Sequence, residues 1–276
     1  MLPAEATLAA AAQALGRHAL PWFFAALFVL LVAAGASART LRRHRAPRGR
    51  ARDAPLSDLA LRFGAGFGVI IAAALVFATL AEAIEAGKVL GRLDLVLSDA
   101  MRQSTPDRAV QAFRWITHLG DPATITVLCV VVALVLVVRD RRALALGWVI
   151  AIAGNAALNR ILKAVFERAR PVHDHAVALA DGWSFPSGHS SAAVVAYGML
   201  AYVLIRTVPP GWHLPAVVLA TAVAFATGCS RVFLQVHYAT DVVAGFASGT
   251  AWLAICIGSI EMTRDYRRRG RRSLTS

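Results

Sequence analysis

The sequence predicts an all-α protein that crosses a membrane several times. Three observations predict this. Of its 276 residues, 58% are hydrophobic and 16% charged, with a mean hydropathy of +0.59. A soluble domain is nearer half apolar, with about a quarter of its residues charged. The apolar residues fall in blocks of about 16 to 24, the length that crosses a bilayer core as a helix. No stretch shows the alternation over about ten residues that marks a membrane β-barrel strand.

Seven candidate spans follow in order: 22–38, 63–86, 122–138, 143–162, 190–205, 214–229 and 242–260. An odd count puts the termini on opposite sides. If the C-terminus is cytoplasmic, the segments 39–62, 139–142, 206–213 and 261–276 lie inside. They hold 18 of the 29 lysines and arginines. That excess fits the rule that basic residues stay inside. "RTLRRHRAPRGRAR" and "RDYRRRGRR" are the strongest anchors. They account for the formal net charge of +13 by contact with anionic lipid headgroups. No soluble unit remains to hold a nucleic acid.

The first span ends in "AGASARTLRR", whose Ala-Ser-Ala resembles a signal-peptidase site. Cleavage would strand Arg39 and its basic neighbours outside, so a retained anchor is expected. Segment 1–62 then reads as a membrane anchor with a basic cytoplasmic loop, and 261–276 as a basic cytoplasmic tail. The outside connection 87–121 carries helical periodicity in "LDLVLSDAMRQ" and "RAVQAFRWITHLG", as amphipathic helices on the membrane surface would. Asp121 before Pro122 reads as the cap of the third span. Cys129, Cys229 and Cys256 sit in or beside apolar runs, as small buried hydrophobes do. There is no internal repeat, and only the Ala-rich start and Arg-rich flanks are of low complexity.

Three polar clusters then fall at the outer face. "NAALNRILKAVFERARP" places Lys163 and Arg170 seven residues apart, on one face of a helix, with Asn155 and Asn159 continuing it inward. By itself this is also how snorkelling cations look. "GWSFPSGHSSAAVV" has Pro186 and Gly188 to shape a turn and Ser187 to cap a helix, whose free N–H groups suit an anion. "SRVFLQVHYATD" sets His237 four residues before Asp241, one helical turn, with Arg231 near. A carboxylate on one imidazole nitrogen fixes the tautomer and frees the other nitrogen.

Ionisable groups at membrane depth are costly and mark function. Three cations, a helix-end anion hole and two histidines suit phosphoryl transfer. Arg and Lys neutralise phosphate oxygens, one histidine attacks phosphorus and the other protonates the leaving alkoxide. An anion transporter would need the cations but not the spaced His–Asp pair.

"KAVFERARP", "PSGH" and "SRVFLQVHYATD" resemble the three-part signature of the type 2 phosphatidic acid phosphatase and vanadium haloperoxidase superfamily: K-x6-R-P, P-S-G-H and S-R-x5-H-x3-D. All fixed positions are present, in order. The resemblance covers roughly 63–260 and implies a six-helix membrane phosphatase domain preceded by one extra span. It implies that Lys163, Arg170 and Arg231 bind phosphate with Ser187 and Gly188, that His189 is the general acid, and that Asp241 orients the nucleophile His237. It further implies a phosphohistidine, no metal or other cofactor, and an outer-face site acting on a lipid phosphate. Phosphatidate, phosphatidylglycerophosphate and undecaprenyl diphosphate are candidate substrates. A lipid phosphotransferase using the same phosphohistidine is the alternative. The bacterial inner membrane is the expected location. The loop "VHDHAVALADGW" reads as solvated, and its His173, Asp174 and His175 as no metal site.

Overall fold

A computed structural model describes residues 3–45, 56–86, 88–171 and 182–273. Among these, ten α-helices and two short 3-10 turns are present, and no strand. The helices are α1 (Pro3–Arg17), α2 (Ala19–Arg45), α3 (Leu56–Ala86), α4 (Lys88–Ser104) and α5 (Asp107–Thr117). They continue with α6 (Pro122–Val138), α7 (Arg142–Phe166), α8 (Gly188–Thr207), α9 (His213–Phe233) and α10 (Ala239–Ser273).

Six helices, α2, α3 and α7 to α10, are individually long and apolar enough to span a membrane. The helix α6 has 17 residues and is joined to α5 through a bend of 46°; counted with it, the pair makes a seventh candidate. Pro122 at the first turn of α6 fits that corner, since its missing N–H is one a helix start leaves unpaired anyway. The chain is an integral membrane helical bundle.

Packing order follows from which faces are apolar all round. Phe28 on α2, Val138 on α6 and Leu146 on α7 are 69%, 86% and 62% exposed. On helices of span length, outward-facing apolar groups like these suit contact with lipid. The helix α8 lies at the centre, against α7, α9 and α10; α3 packs on α10, and α2 on α9. The core beneath is built on Trp148, Val195, Met199 and Val203. Trp148 Nε1 donates to the Cys129 carbonyl at 2.9 Å, so even the buried indole is satisfied.

The Ala-rich start, read in the sequence only as low complexity, is the helix α1, which lies against α4. Small residues allow the approach: a Cβ on Gly16 would sit 2.6 Å from Ala100 Cβ. Arg92 and Glu5 pair at 3.3 Å across the same contact. The amphipathic helices anticipated between the second and third spans are α4 and α5. Phe23 of α2 stacks among Phe113, Phe225 and Phe233, so the first span is packed onto the bundle rather than tethered beside it. Residues 173–175 lie outside the described residues.

Candidate active site

The polar clusters converge at one end of the bundle, where α7 and α9 end and α8 and α10 begin. Lys163 is in the last turn of α7, and its Nζ donates to the Trp183 carbonyl at 2.7 Å. The helix stops at Glu167, which has a left-handed φ of 41°. Arg170 is therefore beyond the helix, and the shared helical face expected for Lys163 and Arg170 is not formed. The two come together through the turn instead. Arg170 Nε donates to the Gly182 carbonyl at 2.9 Å, and its Nη1 to the Val236 carbonyl at 2.8 Å.

Ser187 is the N-cap of α8, with its hydroxyl accepting from the Ser190 amide. Helix geometry leaves the amides of Gly188 and His189 without an intrahelical acceptor, at the positive end of the helix. The turn is pinned to α10 by the Ser187 amide, which donates to the Asp241 carbonyl at 2.9 Å. That approach requires Gly245: a Cβ there would lie 2.6 Å from the Ser187 carbonyl oxygen. Asn155 and Asn159, expected to continue the polar face, both direct their amides to the Ser191 hydroxyl at 3.4 Å.

His237 is in the connection between α9 and α10, not on a helix with Asp241 as the spacing suggested. Asp241 lies in the first turn of α10, and the chain reverses so that His237 Nδ1 still reaches Asp241 Oδ2 at 3.4 Å. The Ser184 hydroxyl donates to the same oxygen and lies 3.3 Å from Nδ1. On the other side of the ring, Arg170 Nη1 is 3.1 Å from Nε2. A guanidinium can only donate. Nε2 therefore presents its lone pair, and the proton of the neutral ring resides on Nδ1, toward Asp241. Burial is the first cause that pushes the His237 pKa down, to about 4, against the raising effect of Asp241. The ring is neutral at neutral pH, with Nε2 as its basic atom.

Arg231, in the last turn of α9, is buried and donates from Nη1 to the Thr117 hydroxyl at 2.7 Å. Its Nε is buried with no partner among the described residues.

The sequence reading gave a carboxylate partner to one histidine; the structure gives one to each. His189 Nε2 lies 2.9 Å from Asp121 Oδ1. Asp121 caps α6 by position but makes no side-chain cap bond. Its second oxygen instead holds His118 Nδ1 at 2.7 Å. The wall of α5 and α6 comes close here because Gly120 has no side chain; a Cβ would be 3.0 Å from His189 Cδ2. Sequence reasoning also missed Asp94, Arg168, Ser184 and Thr117. The only local signal was the first arginine of "ERARP", two residues before Arg170.

A model of the PAP2 superfamily matches residues 142–265. The chain is 32% identical over 161 residues to phosphatidylglycerophosphatase B of Bacillus subtilis (strain 168), covering 56% of this chain and 76% of that protein. The crystal structure of the first transmembrane PAP2 type phosphatidylglycerolphosphate phosphatase from Bacillus subtilis superimposes with a TM-score of 0.66 at 29% identity. That likeness covers 70% of this chain and 96% of the other. Bundle, polar end and likenesses together define a membrane phosphatase. The chain belongs to the PAP2 superfamily.

Proposed function

We propose that the protein hydrolyses a lipid phosphate monoester of the phosphatidylglycerophosphate type through a phosphohistidine on His237. The observation that carries the reading is the state of that ring. Nε2 is a buried lone pair beside a guanidinium, and Nδ1 is backed by a carboxylate. A phosphoryl group drawn to Arg170 is thereby placed at the attacking atom. Lys163 and Arg231 supply further positive charge, and the amides of Gly188 and His189 face the developing equatorial charge.

In the first step the Nε2 lone pair attacks phosphorus and the P–O bond to the lipid breaks. His189, entering this step as the imidazolium paired with Asp121, gives a proton to the departing alkoxide and is left neutral. In the second, water attacks phosphorus, His189 takes its proton, and the P–N bond breaks to release phosphate and restore His237. Asp241 holds the ring in one tautomer throughout. The cations at the site provide the charge that a metal would otherwise supply, so the reading includes metal independence. The substrate class is supported by the name of the Bacillus subtilis relative and by a site at the end of lipid-facing helices.

The site is placed at the outer face of a bacterial inner membrane. The support is the arginine excess at the opposite end of the bundle. A reporter fused after Ser276 then behaves as cytoplasmic.

The test of function is phosphate release by purified protein from phosphatidylglycerophosphate, phosphatidate, undecaprenyl diphosphate and lipid A. The reading predicts the fastest turnover with phosphatidylglycerophosphate. Diphosphate cleavage in strong preference to both monoesters overturns the substrate assignment. Transfer of the phosphoryl group to another lipid, without free phosphate, establishes a phosphotransferase instead.

A further inference from the structure

We infer that Arg168, anchored by Asp94 on α4, is a positioning residue that sets the orientation of Asp241. The inference rests on the reading of Asp241 as the partner that orients His237. It adds a layer behind that partner, reaching from the catalytic pair to a surface-type helix.

Arg168 follows the end of α7 and its side chain is 10% exposed. Its Nη1 donates to Asp241 Oδ1 at 2.6 Å and its Nη2 to Asp94 Oδ2 at 2.9 Å. The two carboxylate side chains are 0% and 3% exposed. One planar fork thus bridges two buried carboxylates, which a lysine ammonium, a point charge on a flexible stem, does not reproduce. The Thr240 hydroxyl closes this bridge: it donates to Asp94 Oδ2 and accepts from Arg168 Nη1 at 2.8 Å. The Tyr238 ring covers the guanidinium, with its centroid 4.2 Å from Arg168 Cζ.

The consequence lies in how Asp241 is divided. Oδ1 belongs to Arg168. Oδ2 alone is left for the Ser184 hydroxyl, the Tyr238 amide at 3.0 Å and His237 Nδ1. Without the clamp on Oδ1 the carboxylate is held through Oδ2 alone, and its plane, which aims Oδ2 at Nδ1, is no longer fixed from both sides. The main chain of Arg168 adds to the same end, because its carbonyl accepts from the Ser184 amide at 2.7 Å.

Asp94 has a separate task. A buried arginine two residues from Arg170 would otherwise compete for the substrate phosphate. Held between two carboxylates and a tyrosine face, Arg168 has its charge compensated and its donors directed away from that role. Two neighbouring arginines in "ERARP" thus do different work: one reaches Nε2 of His237, the other reaches the carboxylate behind Nδ1.

The test is a mutant cycle on purified protein, with kcat, KM and vanadate inhibition measured for Arg168→Gln, Arg168→Lys, Asp94→Asn, Asp241→Asn and Arg168→Gln with Asp241→Asn. The expected result for Arg168→Gln and Arg168→Lys is a kcat lowered at least about tenfold, with KM and vanadate affinity within about twofold. Asp94→Asn loses less, in kcat. Arg168→Gln adds nothing to Asp241→Asn, since both act through one carboxylate. Thermal unfolding in the same detergent identifies any variant that fails to fold; Arg168→Lys, which keeps the charge, then carries the test. A raised KM and weakened vanadate binding with kcat intact would make Arg168 a phosphate ligand and overturn the inference. Full additivity with Asp241→Asn would overturn it too. If Asp241→Asn itself retains normal turnover, the failure belongs to the underlying reading of the His237–Asp241 pair.

Discussion

Arg170 Nη1 lies 3.1 Å from His237 Nε2, and that contact fixes which nitrogen carries the lone pair. The guanidinium marks the tautomer, and in the function proposed above it also binds the incoming phosphate. In the proposed reaction, phosphate oxygens replace the imidazole nitrogen as its partner, which releases Nε2 as the phosphorus arrives.

The first prediction concerns pH. His237 has a folded-state pKa lowered from 6.5 to about 4, chiefly by burial. Protonation therefore favours the unfolded chain. This contribution to stability is fully present above about 6.5, and is lost as pH falls from there toward about 4. The acid limb of kcat/KM is expected between pH about 4 and 5, below that of an ordinary histidine. Arg170→Gln removes one of the charges depressing the pKa, so its acid limb moves upward. An acid limb near 6.5 in the wild type contradicts the buried neutral ring.

The second concerns Asp121. If it supports His189 as the proton donor, Asp121→Asn and His189→Ala share a signature. Each lowers turnover of a lipid alkyl phosphate by about 10²-fold or more, and turnover of p-nitrophenyl phosphate much less, because a good leaving group needs no proton. Equal losses on both substrates would assign Asp121 to the fold alone.

The third concerns metal. Lys163, Arg170 and Arg231 already supply cationic charge at the site, so activity is expected to persist in EDTA. Vanadate, whose trigonal-bipyramidal adduct on a histidine mimics the transition state, is expected to inhibit. Loss of activity in EDTA with recovery on adding magnesium would show that a divalent cation carries part of the charge stabilisation.

The fourth concerns packing. A Cβ at Gly245 would meet the Ser187 carbonyl oxygen at 2.6 Å and Ser190 Cβ at 2.8 Å. Neither can swing aside as a flexible side chain would. Gly245→Ala is expected to cost about 1–3 kcal/mol of stability and to displace the Ser187 turn. Thermal unfolding and phosphate release check it; unchanged values for both would mean that α8 and α10 can separate freely.

Much of this was legible in the sequence because the bilayer restricts the choices. Apolar blocks of span length predict helices, and a helix covers each predicted span; α6 coincides with its span, whereas α2, α3 and α10 run on into the polar flanks. Local backbone events were not legible. Nothing in "KAVFERARP" announces the left-handed Glu167 that ends α7 and takes Arg170 off its face. The four-residue spacing of His237 and Asp241 suggested a shared helix, whereas a reversal before α10 brings them together. Asp121 looked like a cap because it precedes Pro122; two histidines, one of them 68 residues away, draw its carboxylate instead. Asp94 and Arg168 come from segments 74 residues apart, and no local pattern links them. The helix α1 was obscured by its composition, since an alanine-rich stretch carries little apolar contrast between its faces.

The most direct test of the central claim is a rapid-quench experiment, stopped in alkaline detergent, with lipid substrate carrying labelled phosphate. It compares wild type with a His237→Ala variant shown to be inserted and folded. The account predicts label on the wild-type protein that is stable to base and labile to acid, none on the variant, and turnover of the variant near background. Substantial turnover by folded His237→Ala, or the same label on it, would contradict the account and reduce Arg231, His237 and Asp241 to a structural network.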